Sequence, residues 1–181
     1  MPCSPMRNLL WLCLIFSACL PDRNLEIRPL PPMPPVNPSD STKGLRINEI
    51  LSTGSPDWVE IYNSGTKPVT IKSNSWYFSD DLAEPKKFTF PLDYVIGAGS
   101  YLVVACSTGI SPSTPAEPRA GFSLSSAGEK IGLSRLQADT VLWIDSVSFP
   151  AIPSGQSYGR SPDGGPVFKI FSTPSKGAAN P

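Results

Sequence analysis

The sequence predicts an all-β sandwich, and three observations predict it. Short apolar or alternating runs recur from Leu45 onward: LRINEIL, WVEIY, VTIK, KKFTF, SYLVVAC, EKIGLSRL, VLWIDSVSF and QSYGR. Turn chemistry bounds them, as in NSGTKP, SDDLAEP, IGAG, SSAGE, LQAD and SPDGG. No stretch carries a helical period, and 22 prolines with 14 glycines favour turns over helices.

Residues 1–18 read as a targeting segment rather than as fold. One charge, Arg7, precedes the apolar run LLWLCLIFSA, too short to span a bilayer but suited to the apolar region of a secretory signal. The run ends in FSAC, residues 16–19, which resembles a bacterial lipobox and departs from it at Phe16, where leucine is usual. That resemblance implies cleavage before Cys19 and acylation of Cys19, palmitate included. Leu20 after that cysteine implies sorting toward the outer membrane or cell surface. A plain signal peptide cut near Ala18 is the competing reading.

Residues 19–44 read as a tether. Between Leu20 and Gly44 seven of 25 residues are proline, without an apolar period that a sheet or helix could use. Such a chain favours solvated polyproline II at about 3.1 Å per residue and would hold a domain off a membrane. Its PPMPP stretch is alternatively a site for a proline-reading partner.

The domain follows at 45–181. LRINEIL sets Leu45, Ile47, Glu49 and Leu51 against Arg46, Asn48 and Ile50. WVEIY sets Val59 and Ile61 against Trp58, Glu60 and Tyr62. SAGEK reads as a hairpin connection with Gly128 at positive φ.

Charge and composition exclude several function classes. Fifteen basic and fifteen acidic residues cancel, which gives no pull toward nucleic acid or an anionic membrane. Histidine is absent, removing the commonest general base and zinc ligand and every His-containing triad. Cys3 and Cys13 leave with the signal and Cys19 carries lipid, so Cys106 has no disulfide partner and reads as a buried, inert thiol.

INEI, DWVEIYNSG, WYFSDD, KFTFP, IGAGSYLVV, GFSLSSAGEKIGL, IDSVSF and SYGRSPDG fall in an order that resembles the lamin-tail domain of bacterial exported proteins, over about residues 45–181. The resemblance implies an immunoglobulin-like β-sandwich without catalytic activity. In nuclear lamins this fold is an interaction module that contacts proteins and DNA; in bacteria it accompanies exported nucleases and phosphoesterases. Here the chain reads as signal, tether and module, with no such enzyme fused.

The residues that look chemical have structural readings. Asp57 and Glu60, three apart on one strand, point to opposite faces and make a poor catalytic pair. Asp57 is expected to close a turn. The family pattern, which also keeps SYGR, implies a partly buried structural pair between Glu60 and Arg160. Asp80 and Asp81 are calcium candidates, although a solvated turn accounts for them. SPDGG is turn chemistry. Trp76 and Tyr77 must point oppositely, so one of them is expected to be exposed.

The expectation is therefore a lipid-anchored, extracytoplasmic, non-enzymatic binding module of the bacterial envelope. It requires no cofactor, meets the membrane through its N-terminal lipid, and takes an unidentified protein or glycan ligand. Nucleic acid is not expected as a partner. The alternative is an accessory module for an exported nuclease or phosphoesterase encoded elsewhere, and a hydrolase using Asp80 and Asp81 is a weaker third reading.

Overall fold

The computed structural model describes residues 41–181. The signal segment, Cys19 and the tether up to residue 40 lie outside the described residues. Residues Ser41–Gly44 form a 3-10 turn docked on the domain, where Gly44 O accepts from Ser64 N at 2.9 Å. Gly44 is required there, since a Cβ would lie 2.5 Å from Gly65 N.

Twelve strands follow. In chain order they are β1 (Leu45–Leu51), β2 (Asp57–Asn63), β3 (Val69–Ile71), β4 (Trp76–Ser79), β5 (Phe88–Thr89) and β6 (Tyr94–Ile96). Then come β7 (Tyr101–Cys106), β8 (Arg119–Ala120), β9 (Gly128–Gln137), β10 (Thr140–Pro150), β11 (Ser157–Arg160) and β12 (Phe168–Phe171). A six-stranded sheet runs β12-β11-β1-β2-β7-β8, a four-stranded sheet runs β10-β9-β4-β5, and β3 pairs with β6. The result is an immunoglobulin-like β-sandwich, with no α-helix among the described residues.

One face of each large sheet makes the core. Ile47, Ile50, Val59, Ile61 and Val104 from the six-stranded sheet belong to one buried cluster with Trp76, Phe78, Ile131 and Leu133 from the other. Burial of such side chains at about 25 cal/mol per Å² drives assembly. The LQAD segment turns the β9–β10 hairpin, with Ala138 and Asp139 at φ 45° and 65°. Positive φ at both central residues is what a type I′ hairpin turn requires.

The β1 alternation departs from the expected one. The pairing shifts between Ile47 and Glu49, so Asn48 is an inserted residue. This β-bulge carries Ile50 into the core beside Ile47 and turns Glu49 to the outer face, directly opposite Glu60. A matching bulge between Trp143 and Asp145 lies in β10.

Two further expectations are corrected. Gly128 has φ 93°, but the segment before it is no hairpin arm. That segment is pinned instead by Asp57 Oδ2, which accepts from Leu124 N at 3.0 Å, while Phe122 and Leu124 enter the core. Trp76 and Tyr77 point oppositely, yet both are buried. The loop after β4 folds back over the outer sheet face, where Ser134 Oγ donates to Pro85 O at 3.1 Å and Lys86 Nζ sits 5.3 Å from the Tyr77 ring centroid.

Candidate functional site

The outer face of the six-stranded sheet holds the densest polar arrangement among the described residues. Glu49 and Glu60 are cross-strand neighbours with no exposed surface. Like charges directly opposite on a sheet repel, and buried carboxylates need donors. The 172–181 segment supplies them by crossing over the pair.

Its backbone curls at Lys176 (φ 26°) and Gly177 (φ 84°), so successive amides converge. Such an array forms an anion-binding concavity. Glu49 accepts from Ser175 N at 3.0 Å, Ser175 Oγ at 2.7 Å, Lys176 N at 3.2 Å and Ser157 Oγ at 2.5 Å. Among the described residues Glu60 accepts from Gly177 N at 2.5 Å and Asn48 Nδ2 at 3.0 Å. Burial, opposed by those two donors and reinforced by Glu49 and Asp163, raises the Glu60 carboxyl to about 7.

The bulged Asn48 links this pair to the SPDGG turn. Its Nδ2 also donates to Asp163 Oδ1 at 2.9 Å, and its Oδ1 accepts from Gly164 N at 3.0 Å. Asp163 further accepts from Tyr101 Oη at 2.6 Å and Asn180 N at 3.1 Å. Burial first, then Asp163, pushes the Tyr101 phenol well above its ordinary value. Lys176 Nζ stands 5.9 Å from the ring centroid of the buried Trp58.

A second group of acids lies at the far end of β2. Asp57 accepts from Gly54 N at 2.9 Å and from Leu124 N, closing two loops. Asp80 pairs with Lys87 at 2.6 Å, and Glu129 accepts from Ser125 N at 2.8 Å. Burial raises the Glu129 carboxyl, with Asp80 and Asp57 adding to the rise. Cys106 is fully buried among these acids, and burial followed by their charge drives its thiol far upward. Such a thiol is no nucleophile at neutral pH.

The expected Glu60–Arg160 pair is not formed. Gly159, Glu49 and Glu60 lie in one cross-strand row, so Arg160, one residue on, points to the opposite face. There its Nη2 pairs with Asp145 Oδ2 at 3.0 Å, its Nε donates to Ile47 O at 2.8 Å and its Nη1 to Gly165 O at 2.6 Å. The calcium candidates also have local roles. Besides the Asp80–Lys87 pair, Asp81 Oδ1 accepts from Ala83 N at 2.8 Å within its own turn. Among the described residues no three His, Cys, Asp or Glu side chains are grouped to hold a metal ion.

Sequence reasoning missed Glu49, Asp145, Asp163 and the 172–181 segment. The available signal was the placement of single acids inside apolar strands, INEIL and WIDSV, where an unpaired charge is costly.

The comparisons with known proteins bear on the sheet framework. A family model described as Lamin Tail Domain matches residues 38–151. Glu49, Glu60 and Asp145 lie inside that span, while β11, β12 and the 172–181 segment lie beyond it. No curated protein matches the chain.

Proposed function

The chain belongs to the lamin tail domain family, and on that premise we propose that it is a non-catalytic binding module, exported and held to a bacterial envelope by lipid on Cys19. The observation that carries the non-catalytic part is the Glu49–Glu60 pair. Its oxygens are engaged by amides and hydroxyls of the chain itself, leaving no face for a substrate. General acid–base chemistry requires a group within reach of the proton it moves, and these carboxyls reach only their own backbone and side chains. The complete lack of histidine supports the same reading.

The anchoring part is supported by the apolar run ending in FSAC and the proline-rich residues that follow. An acylated cysteine with such a spacer would hold the sandwich clear of the bilayer and leave its loops open to a protein or glycan.

Metabolic labelling with palmitate tests the anchor. The wild-type chain incorporates label and partitions with membranes, whereas Cys19→Ala loses both. Label retained in Cys19→Ala overturns the lipid assignment. Hydrolase assays on phosphodiester and glycoside substrates give no turnover; turnover lost in Glu60→Gln would overturn the non-catalytic assignment.

A further inference from the structure

One cross-strand row of the six-stranded sheet ends in the open. Val104, Val59, Ile50, Tyr158 and Ile170 are successive partners on β7, β2, β1, β11 and β12. The first three are core residues and Tyr158 packs against the core. Ile170 is 38% exposed, and Val167, just before β12, is 60% exposed. Among the described residues no strand pairs with the far side of β12.

That edge has backbone groups to offer. Ser161 N donates to Val167 O at 2.9 Å, one step beyond the Arg160–Phe168 pair. Antiparallel bonding alternates along a ladder, so Gly159–Lys169 and Ser157–Phe171 are the bonded pairs that follow. Phe168 and Ile170 therefore turn their N–H and C=O away from β11.

The other edges of the two large sheets are guarded. Strand β10 carries a bulge, the inward-facing Asp145 and Pro150. Strand β8 is covered by its preceding loop, where Ser113 Oγ accepts from Arg119 N at 2.9 Å, and β5 is only two residues long. Strand β12 has neither bulge nor proline. Its one charge, Lys169, lies on the outer face in the row of Glu49 and Gly159.

We propose that β12 is a homodimerisation edge, pairing antiparallel with β12 of a second copy about a two-fold axis centred on Ile170. Two registers are centred on interior residues of the strand. One centres on Lys169 and sets like charges directly opposite, which a sheet disfavours. The other centres on Ile170, whose free N–H and C=O then bond those of its counterpart. In that register the apolar row runs unbroken from Val104 of one copy to Val104 of the other. Lys169, whose ammonium already sits 5.2 Å from the ring centroid of its own Phe171, falls beside Phe171 of the second copy. The edge is thus its own complement, as a two-fold interface requires, and a net charge of zero adds no repulsion between copies. A ladder this short falls below the ~1,200 Å² of a standard interface, so the dimer is a weak, exchanging one.

Disulfide trapping in the full chain reads this directly, with Cys3, Cys13 and Cys19 replaced by Ala and Cys106 buried. Ile170→Cys sets two thiols on facing Cα atoms about 5.5 Å apart, within disulfide reach. Mild oxidation is expected to give a covalent dimer in many-fold higher yield than Val95→Cys, a control at a 68% exposed position on β6. Equal yields, or no dimer from Ile170→Cys, overturn the proposal. Sedimentation of the wild-type chain against Ile170→Lys decides it without introduced thiols. The dissociation constant is expected to rise many-fold in Ile170→Lys. A constant unchanged by Ile170→Lys overturns the proposal, as does a wild-type chain that stays monomeric at its highest soluble concentration.

Discussion

Arg160 pairs with Asp145 at 3.0 Å, and Asp145 Oδ2 also accepts from Ile47 N at 2.8 Å, so one carboxylate joins both large sheets. Arg160 stands on β11 of the six-stranded sheet, and Asp145 stands on the outermost strand of the other. Both bulges serve this contact. The insertion at Asn48 frees the Ile47 amide from the ladder, and the one near Ile144 aligns Asp145 with Leu133, facing inward. The Arg160 guanidinium also lies 4.4 Å from the Phe168 ring centroid.

Arg160→Ala and Asp145→Ala are each expected to cost about 3 kcal/mol, because each leaves a largely buried partner charge unpaired. For a domain of this size that lowers Tm by on the order of 10 °C. Differential scanning calorimetry checks it. Shifts of a degree or two would mean that the joint between the sheets carries little.

Stability is expected to fall as pH rises through the Glu60 window. The fold raises this carboxyl from 4.5 to about 7, so the folded chain binds more protons than the unfolded chain between those values. Stability is then greatest near or below 4.5 as far as this group is concerned, and its loss is complete above 7. The contribution is on the order of 3 kcal/mol. Urea unfolding at pH 5 and pH 8 measures it, and Glu60→Gln is expected to flatten the difference.

Cys106 is expected to be inert in the folded state. In a chain with Cys3, Cys13 and Cys19 replaced by Ala, a thiol reagent at pH 8 reacts slowly and is accelerated many-fold by denaturant, because the thiol is wholly buried and its ionisation is suppressed. Rapid labelling of the native chain would contradict the burial.

Millimolar calcium is expected to leave Tm unchanged, since Asp80 already has Lys87 and Asp81 closes its own turn. A site filled far above its Kd would raise Tm measurably, by RT ln(1 + [L]/Kd). A rise abolished by Asp81→Asn would restore the metal reading.

Much of this fold is legible in the residues. WVEIY alternates as it reads, and the outer position of Glu60 with the inner positions of Val59 and Ile61 follows from the pleat. The β9–β10 hairpin follows from LQAD between two apolar runs. LRINEIL misleads because a bulge is decided by which amide finds a partner, here Ile47 N with Asp145 across the sandwich, and no local pattern announces that. The partner of Arg160 was illegible for a related reason: β11 lies beside β1 rather than β2, and strand order is a tertiary fact. STPSKGAANP reads as a loop by composition. Its role rests on a left-handed Lys176 and on two acids more than 110 residues away in the chain.

The claim that Glu49 and Glu60 serve the fold rather than chemistry is tested most directly by hydrogen exchange on Glu49→Ala at pH 5. Removing this acceptor strands the amides of Ser175 and Lys176 and the Ser157 hydroxyl, at about 1–3 kcal/mol for each group left buried. The account predicts that 172–181 loses its protection while β2 and β7 keep theirs. Protection of 172–181 equal to that of the wild-type chain would contradict it.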